Sequence, residues 1–329
     1  MLVAPGDLRL ESVPVPKASP DDVLIRVRAA TTCGTDLKAF LRGHPQIPMP
    51  GPLGHEYSGE VVIGGSGFSV GDHVMGVHSA PCQVCSWCIR GQENLCESIM
   101  STKVLGTYAE YLLIPARIAK LNLFLKPDFL SFEVASLLEP LACVAQGVSV
   151  LRELLSSGSP TFKPRTLVIG PGAIGLMFVA ALKKSGITDV TLAGRSEERL
   201  GIGRLLGART VQYRDVTGEF DFVVECTGKL EVWEKSIEFL ARGGHLMLFG
   251  GLPSGSRVTF DAGRLHYDQI TVVSPFHFGT EAVKTARDWL LDPTLNLSQL
   301  LSGTRILEQA EEVFRDLEQG KGIKFVFQP

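Results

Sequence analysis

The pattern of apolar and polar positions changes character near Leu141. Before it, short alternating runs such as Val23-Leu24-Ile25-Arg26-Val27-Arg28 and Glu60-Val61-Val62-Ile63 stand between Pro/Gly clusters, which predicts a β-rich domain with many loops. Over 142–274, strand-like segments at 166–170, 190–193, 220–225 and 245–250 alternate with helix-like ones at 173–185, 197–206 and 233–241. That order predicts right-handed βαβ units and a doubly wound parallel sheet, so the fold class is α/β with a β-rich companion domain. Past Ser274, helices near 281–291 and 308–319 and the apolar run Lys324-Phe325-Val326-Phe327 are expected to pack back onto the first domain.

Length agrees with this division, because a chain of 329 residues outgrows a single core and is expected to form two domains. The formal net charge of −3 and the lack of any Lys/Arg-rich run point away from nucleic acid. The longest uncharged apolar stretch, 166–182, is broken by Gly170-Pro171-Gly172, which points away from a membrane span. Met1-Leu2-Val3-Ala4-Pro5-Gly6 has no basic start followed by an apolar stretch, so the protein is expected to be cytoplasmic. An odd cysteine count, seven, fits that reducing setting and directs attention to metal rather than disulfides.

Four of the seven cysteines fall within fifteen residues, as Cys82-x-x-Cys85-x-x-Cys88 followed by Cys96. Four thiolates in one loop can enclose a tetrahedral zinc with no open position, which is a structural site. A second, dispersed set comprises Cys33 in Cys33-Gly34-Thr35-Asp36, His55 and Glu56 in Gly54-His55-Glu56-Tyr57, and Glu139 in Glu139-Pro140-Leu141. These are ligand types of an open zinc, yet spacing alone does not join them; singly they read as a buried thiol, a core histidine and surface or capping acids. Gly170-Pro171-Gly172-Ala173-Ile174-Gly175 follows an apolar strand and opens a helix, the context in which such glycines let backbone approach a dinucleotide pyrophosphate.

Taken in order, Cys-Gly-Thr-Asp, Gly-His-Glu, the four-cysteine lobe, Glu-Pro-Leu and Gly-x-Gly-x-x-Gly resemble the zinc-containing medium-chain dehydrogenase/reductase family, most of all its sorbitol (polyol) and threonine dehydrogenase branch. The resemblance implies a GroES-like catalytic domain over residues 1–141 and 275–329, with a structural zinc lobe at about 80–98, and a Rossmann domain over 142–274. It implies catalytic zinc on Cys33, His55 and Glu56, with Glu139 as fourth ligand or as holder of a zinc-bound water, and structural zinc on Cys82, Cys85, Cys88 and Cys96. The implied reaction oxidises a secondary alcohol of a polyol, sugar or similar small substrate, zinc acting on the substrate oxygen and the nicotinamide taking hydride.

Thr35, two residues after a ligand, is expected to carry the alcohol proton. Many relatives have a histidine five residues after the cysteine as the relay's outer end; Lys38 stands there in this chain. Zinc with a Cys33 thiolate and both carboxylates would carry net −1, so one carboxylate is expected to be loose when substrate binds. His55 and Glu56 are adjacent, and neighbours on a regular strand face opposite ways. Both can ligate only if the backbone bends, a task expected of Gly54 and Gly59.

Coenzyme contacts are expected from Gly170, Gly172, Ala173, Ile174 and Gly175, from Cys226 and Thr227, and from the segment Gly194-Arg195-Ser196 with Arg199. NAD-binding units place an acid at the second strand's end to meet the adenosine ribose. Here Gly194 stands there, and Arg195, Ser196 and Arg199 suit a 2′-phosphate, so NADP is expected over NAD, and Gly194→Asp is expected to favour NAD. Two zinc ions and a homo-oligomer, dimer or tetramer, complete the expectation. The competing readings are an L-threonine or simple secondary alcohol dehydrogenase, a zinc-free alkene reductase and a non-catalytic relative.

Overall fold

The computed structural model describes residues 1–155, 159 and 161–329. The chain divides into two compact units. One comprises Met1–Ala142, Phe278–Asp292 and Ser298–Pro329; the other comprises Cys143–His277 and Pro293–Leu297.

The first unit is built on a seven-stranded sheet in the order Leu301–Arg305, Lys324–Phe327, Val23–Thr31, Tyr57–Ile63, His73–Gly76, Leu123–Leu125, with Tyr111–Ile114 also pairing with Val23–Thr31. In the central strand Ile25 and Val27 face the core while Arg26 and Arg28 stay in water, the period of two that the sequence shows. Ile25, Val27, Tyr57, Val61, Val74 and Leu112 form one cluster, each such side chain contributing about 1.5–3 kcal/mol on burial. The last strand pairs antiparallel with the first long one, Val326 opposite Thr31, so both chain ends build this sheet.

The second unit holds six parallel strands in the order Arg209–Gln212, Asp189–Gly194, Arg165–Ile169, Phe220–Glu225, Leu240–Leu248, Thr271–Val273. Its central strands are apolar on both faces, Leu167, Val168, Phe222, Val223 and Val224 being fully buried, as expected of a parallel sheet covered by helices. The expected GroES-like and Rossmann classes are both borne out.

One expected element is corrected. The helix at 233–241 is instead Leu230–Ser236 with a 3₁₀ turn over Ile237–Phe239, and the next strand already begins at Leu240. Phe220 pairs with Leu240 and Phe222 with His245, so five steps of one strand span two of the other. The surplus forms a bulge around Gly243, whose φ of +74° suits glycine. Among the described residues no helix is long and apolar enough to cross a membrane.

Candidate functional site

Cys33 is the N-cap of the helix Gly34–Arg42, and its Sγ accepts the Thr35 N–H at 3.4 Å. Gly54, with φ of +94°, turns the chain just before His55; a Cβ there would collide with Thr107 Oγ1 and stand 2.9 Å from the Tyr108 ring. Because the strand starts only at Tyr57, His55 and Glu56 escape the alternation of a regular strand. Cys33 Sγ, a His55 ring nitrogen and a Glu56 oxygen then lie within 4.8 Å of one another. Gly59 takes no part in the bend. It sits inside the strand opposite Val27, where a Cβ would run into Arg26 O.

Asp36, fully buried, orients the imidazole: its Oδ1 is 3.2 Å from His55 Nδ1, and its Oδ2 accepts the Tyr108 hydroxyl at 2.6 Å. With Nδ1 so engaged, Nε2 is left for a metal, an arrangement that fixes tautomer and ring plane together. Burial alone would lower the His55 pKa; Asp36 and Cys33 outweigh it and hold the pKa well above the ordinary imidazole value. Burial likewise works to raise Asp36, and His55 and Tyr108 bring it below the usual carboxylate value.

Glu56 is already paired. Lys324 Nζ lies 2.8 Å from its Oε1 and 2.6 Å from its Oε2, and the Thr31 hydroxyl donates to Oε2. Both charged groups are out of solvent, and Lys324 also donates to Thr32 O. Burial pushes the Glu56 carboxyl up to about 6 against the pull of Lys324. Sequence reasoning missed Lys324, whose partner lies 268 residues away and is reached only through pairing of the last strand.

Glu139 lies in the first turn of the helix Leu138–Leu155, buried, and stands beside the three-residue cluster rather than in it. Its Oε1 is 3.3 Å from Nδ1 of His78, whose ring is edge-on to His55 at 5.2 Å and to Phe278 at 5.9 Å. Burial and the neighbouring His55 hold His78 well below the ordinary imidazole pKa. His78 and Asp36 are also side chains to which sequence reasoning gave no role. Thr35 and Lys38 fall in the first two turns of the Cys33-capped helix, both half-buried.

The four-cysteine lobe closes on itself. The Sγ atoms of Cys82, Cys85, Cys88 and Cys96 lie within 4.8 Å of one another, with Cys82–Cys88 at 4.0 Å and Cys85–Cys88 at 3.5 Å. Sulfurs at tetrahedral zinc, each about 2.3 Å from the metal, stand about 3.8 Å apart, so the set fits that ion. Backbone N–H groups of Cys85 and Cys82 donate to Cys82 Sγ and Cys96 Sγ, both at 3.2 Å. Arg117 braces the lobe through Pro81 O at 3.0 Å and Ser98 Oγ at 3.0 Å.

In the second unit the glycine loop is tied to the strands on either side. Gly170, φ +106°, donates to Ala193 O at 2.9 Å, and Cys226 N donates to Ile169 O at 2.9 Å. A Cβ on Gly170 would stand 2.8 Å from Thr227 Cγ2, and one on Gly175 would strike Gly170 O. Of these glycines Gly172 alone faces open space, at the N-cap of the helix Ala173–Lys184, where no side chain caps the first-turn N–H groups of Ala173, Ile174 and Gly175. That gap fits a pyrophosphate. Glu225, which the sequence reading left out, buries its carboxylate against Thr227 N at 2.6 Å, Gly228 N at 3.2 Å and the Thr227 hydroxyl, fixing the Cys226-Thr227 turn.

Gly194 ends the strand Asp189–Gly194. Arg195 beside it is exposed and has no ion-pair partner among the described residues. Ser196 caps the helix Glu197–Leu205 by accepting the Arg199 N–H at 3.4 Å. Glu197, an acid that would repel phosphate, is turned to Arg204 at 2.6 Å and Gln212 at 3.4 Å. A Cβ on Gly194 would stand 2.5 Å from Pro171 Cδ and closer still to its Cγ, an obstacle to Gly194→Asp that the sequence does not disclose.

Comparison with known proteins agrees with this geometry. Residues 19–123 match the alcohol dehydrogenase GroES-like domain and residues 132–328 the glucose dehydrogenase C-terminus. The chain is 33% identical to D-altritol 5-dehydrogenase of Agrobacterium fabrum, over 78% of this chain and 77% of that one. It is 28% identical to L-threonine 3-dehydrogenase of Yersinia pestis, over 99% and 97%. A zinc-binding dehydrogenase from Sinorhizobium meliloti 1021, solved bound to NADP, superposes with a TM-score of 0.86 at 26% identity, over 99% and 97% of the two chains. With two family models covering most of its length, a relative 33% identical over most of both chains, and a Cys-His-Glu cluster and a glycine loop of its own, this chain belongs to the zinc-containing medium-chain dehydrogenase/reductase family and is an NAD(P)-dependent alcohol dehydrogenase of its polyol and threonine dehydrogenase branch.

Proposed function

We propose that the protein oxidises a secondary alcohol on a small polyhydroxylated substrate to the ketone, with NADP⁺ preferred over NAD⁺, two zinc ions per chain, and assembly as a homo-oligomer, dimer or tetramer. The observation that carries this reading is the convergence of half-buried Cys33 with buried His55 and Glu56 within 4.8 Å, with His55 held by Asp36. Bound zinc would supply a Lewis acid for the substrate oxygen, and the nicotinamide would accept hydride. Cys33 and His55 are the ligands, joined by Glu56 or Glu139; Cys82, Cys85, Cys88 and Cys96 hold the structural ion.

The remaining work falls to the chain's own side chains. Asp36 keeps His55 in the ligating tautomer, and the Thr35 hydroxyl, two residues from Cys33, receives the alcohol proton. Lys324 offsets one carboxylate, so zinc, the Cys33 thiolate, Glu56 and Glu139 together with this lysine sum to zero and keep their power to stabilise a developing negative oxygen. Glu139, next to His78, would meet a second hydroxyl of the substrate, which favours polyols over simple alcohols. Gly170, Gly172, Ala173, Ile174 and Gly175 receive the pyrophosphate beside Cys226 and Thr227; Gly194, Arg195, Ser196 and Arg199 form the adenosine end. The open side of the edge strand Thr271–Val273 supports self-association.

The test is a substrate panel of polyols, aldoses, simple secondary alcohols, primary alcohols and L-threonine, each with NAD⁺ and NADP⁺. Polyols bearing vicinal hydroxyls are expected to give the highest kcat/KM. Preference for L-threonine would move the protein to the other arm of its branch, and equal or better turnover of ethanol-like substrates would overturn the polyol reading.

A further inference from the structure

We propose that Pro171 constrains coenzyme choice through position 194: its pyrrolidine ring occupies the space that an acid there would need, so the glycine loop and the strand end together close the NAD⁺-selecting solution. The inference rests on the coenzyme preference proposed above and extends it to a residue outside the ribose-binding segment.

Carbon atoms in contact settle about 3.5–4.0 Å apart. A Cβ on Gly194 would lie 2.5 Å from Pro171 Cδ and nearer to Cγ, with Leu200 Cδ2 at 3.4 Å on another side. Any L side chain at 194 therefore forces something to move. A long side chain would swing its tip away; the proline ring has no such freedom, since its Cδ is bonded to the backbone nitrogen. Nor can the loop retreat easily. Gly170 N is tied to Ala193 O at 2.9 Å, Cys226 N to Ile169 O at 2.9 Å, and the Gly175 turn sits hard against Gly170 O.

Gly194 itself has no need of glycine from its backbone, because it is not among the residues with positive φ and continues the parallel ladder opposite Gln212. The requirement for a bare Cα comes from Pro171. An aspartate at this strand end would accept hydrogen bonds from the adenosine ribose and repel a 2′-phosphate, which is how such units select NAD⁺. With proline at 171 that solution is closed, and Arg195, exposed and without an ion-pair partner among the described residues, is left to meet the phosphate.

The experiment is a double-mutant cycle on the full-length protein. Pro171→Ala removes Cγ and Cδ, the two atoms in the way, and keeps Cβ. Wild type, Pro171→Ala, Gly194→Asp and the double variant are compared by Tm, by coenzyme affinity from NADPH and NADH fluorescence, and by kcat/KM with each coenzyme. Pro171→Ala alone should keep the wild-type preference. Gly194→Asp alone should lower Tm and weaken both coenzymes by about tenfold or more. The double variant should recover Tm and bind NADH at least about tenfold better than Gly194→Asp does.

A Gly194→Asp protein with wild-type Tm and an NADH affinity equal to that of the double variant would overturn the proposal. Should Gly194→Asp not fold, the same cycle with Gly194→Ala decides on Tm: rescue by Pro171→Ala supports the coupling, and additive losses refute it. Failure of the underlying reading looks different, as a wild-type protein that prefers NAD⁺; the Tm cycle still tests the Pro171–Gly194 clash in that case.

Discussion

Lys324 and Glu56, 268 residues apart in sequence, form a fully buried ion pair at the edge of the Cys33–His55 cluster, Nζ to Oε2 2.6 Å. The pair ties the last strand of the chain to the turn that carries two candidate ligands. A charge left alone at this depth is costly, whereas removing both is far less so. Lys324→Met is expected to destabilise the metal-free protein by about 3–5 kcal/mol in denaturant unfolding, and adding Glu56→Gln should return a large part of that loss. Equal destabilisation of the single and double variants would show that packing, not charge, is what Lys324 contributes.

His78 approaches Glu139 through Nδ1 at 3.3 Å, and asparagine can place an amide N–H near the same point while phenylalanine keeps only the ring. Such outer partners of a metal site are worth about 10–100-fold in affinity or activity. His78→Phe should therefore lower kcat/KM by about tenfold and change the visible spectrum of the cobalt-substituted protein, with His78→Asn close to wild type in both. If His78→Phe leaves spectrum and kinetics unchanged, the contact with Glu139 is packing alone.

The two candidate metal sites differ in closure. Four thiolates leave no open position, while Cys33 and His55 with one carboxylate do. Incubation with a chelator should abolish activity and remove one zinc while circular dichroism and the second zinc persist, read by metal analysis. Loss of both ions together, or activity after loss of the labile one, would contradict the assignment.

His245 supplies a pH dependence that is free of metal chemistry. Its ring stacks on Phe222 at 4.9 Å, and burial lowers its pKa below the ordinary imidazole value. A depressed folded-state pKa means that the unfolded chain binds the extra proton first; stability is present above the unfolded value near 6.5 and is lost as pH falls through the folded one. Tm should drop as pH is lowered from 7 to 5, and His245→Phe should flatten that slope. An unchanged slope would place the responsible group elsewhere.

What could be read from the sequence was what the chain keeps local. Cys82, Cys85, Cys88 and Cys96 span fifteen residues, and Gly170 to Gly175 lie on one strand–turn–helix, so spacing alone announced both sites. Cys33, His55 and Glu56 were joined only through family resemblance, because the turn at Gly54 that brings them together is a property of one φ angle. Lys324 was illegible: its partner is reached only when the last strand pairs beside Thr31, a non-local event with no signature in either segment. The Pro171–Gly194 collision was hidden for the same reason, since parallel strand neighbours are separated in sequence by a whole helix. The 233–241 helix was overextended because the bulge before His245 has no counterpart in hydrophobic period.

Arg195 offers the sharpest test of the coenzyme reading. It follows Gly194 at the strand end, is exposed, and has no ion-pair partner among the described residues, while Glu197 is drawn off by Arg204 and Gln212. A charge-assisted contact to a 2′-phosphate contributes about 1.5–3 kcal/mol, and exposure puts Arg195 at the lower end, about tenfold in affinity. Arg195→Ala should thus raise KM for NADP⁺ by about tenfold and change KM for NAD⁺ by less than about twofold, with the NADP⁺ effect shrinking as salt is raised. Arg199, half-buried and lowered in pKa by that burial, stands one helical turn on and should show the same selectivity at smaller amplitude. Equal weakening of both coenzymes by Arg195→Ala would show that the guanidinium supports the loop rather than reads the phosphate, and a salt-independent loss would say the same, since a structural role needs no ionic attraction to ligand.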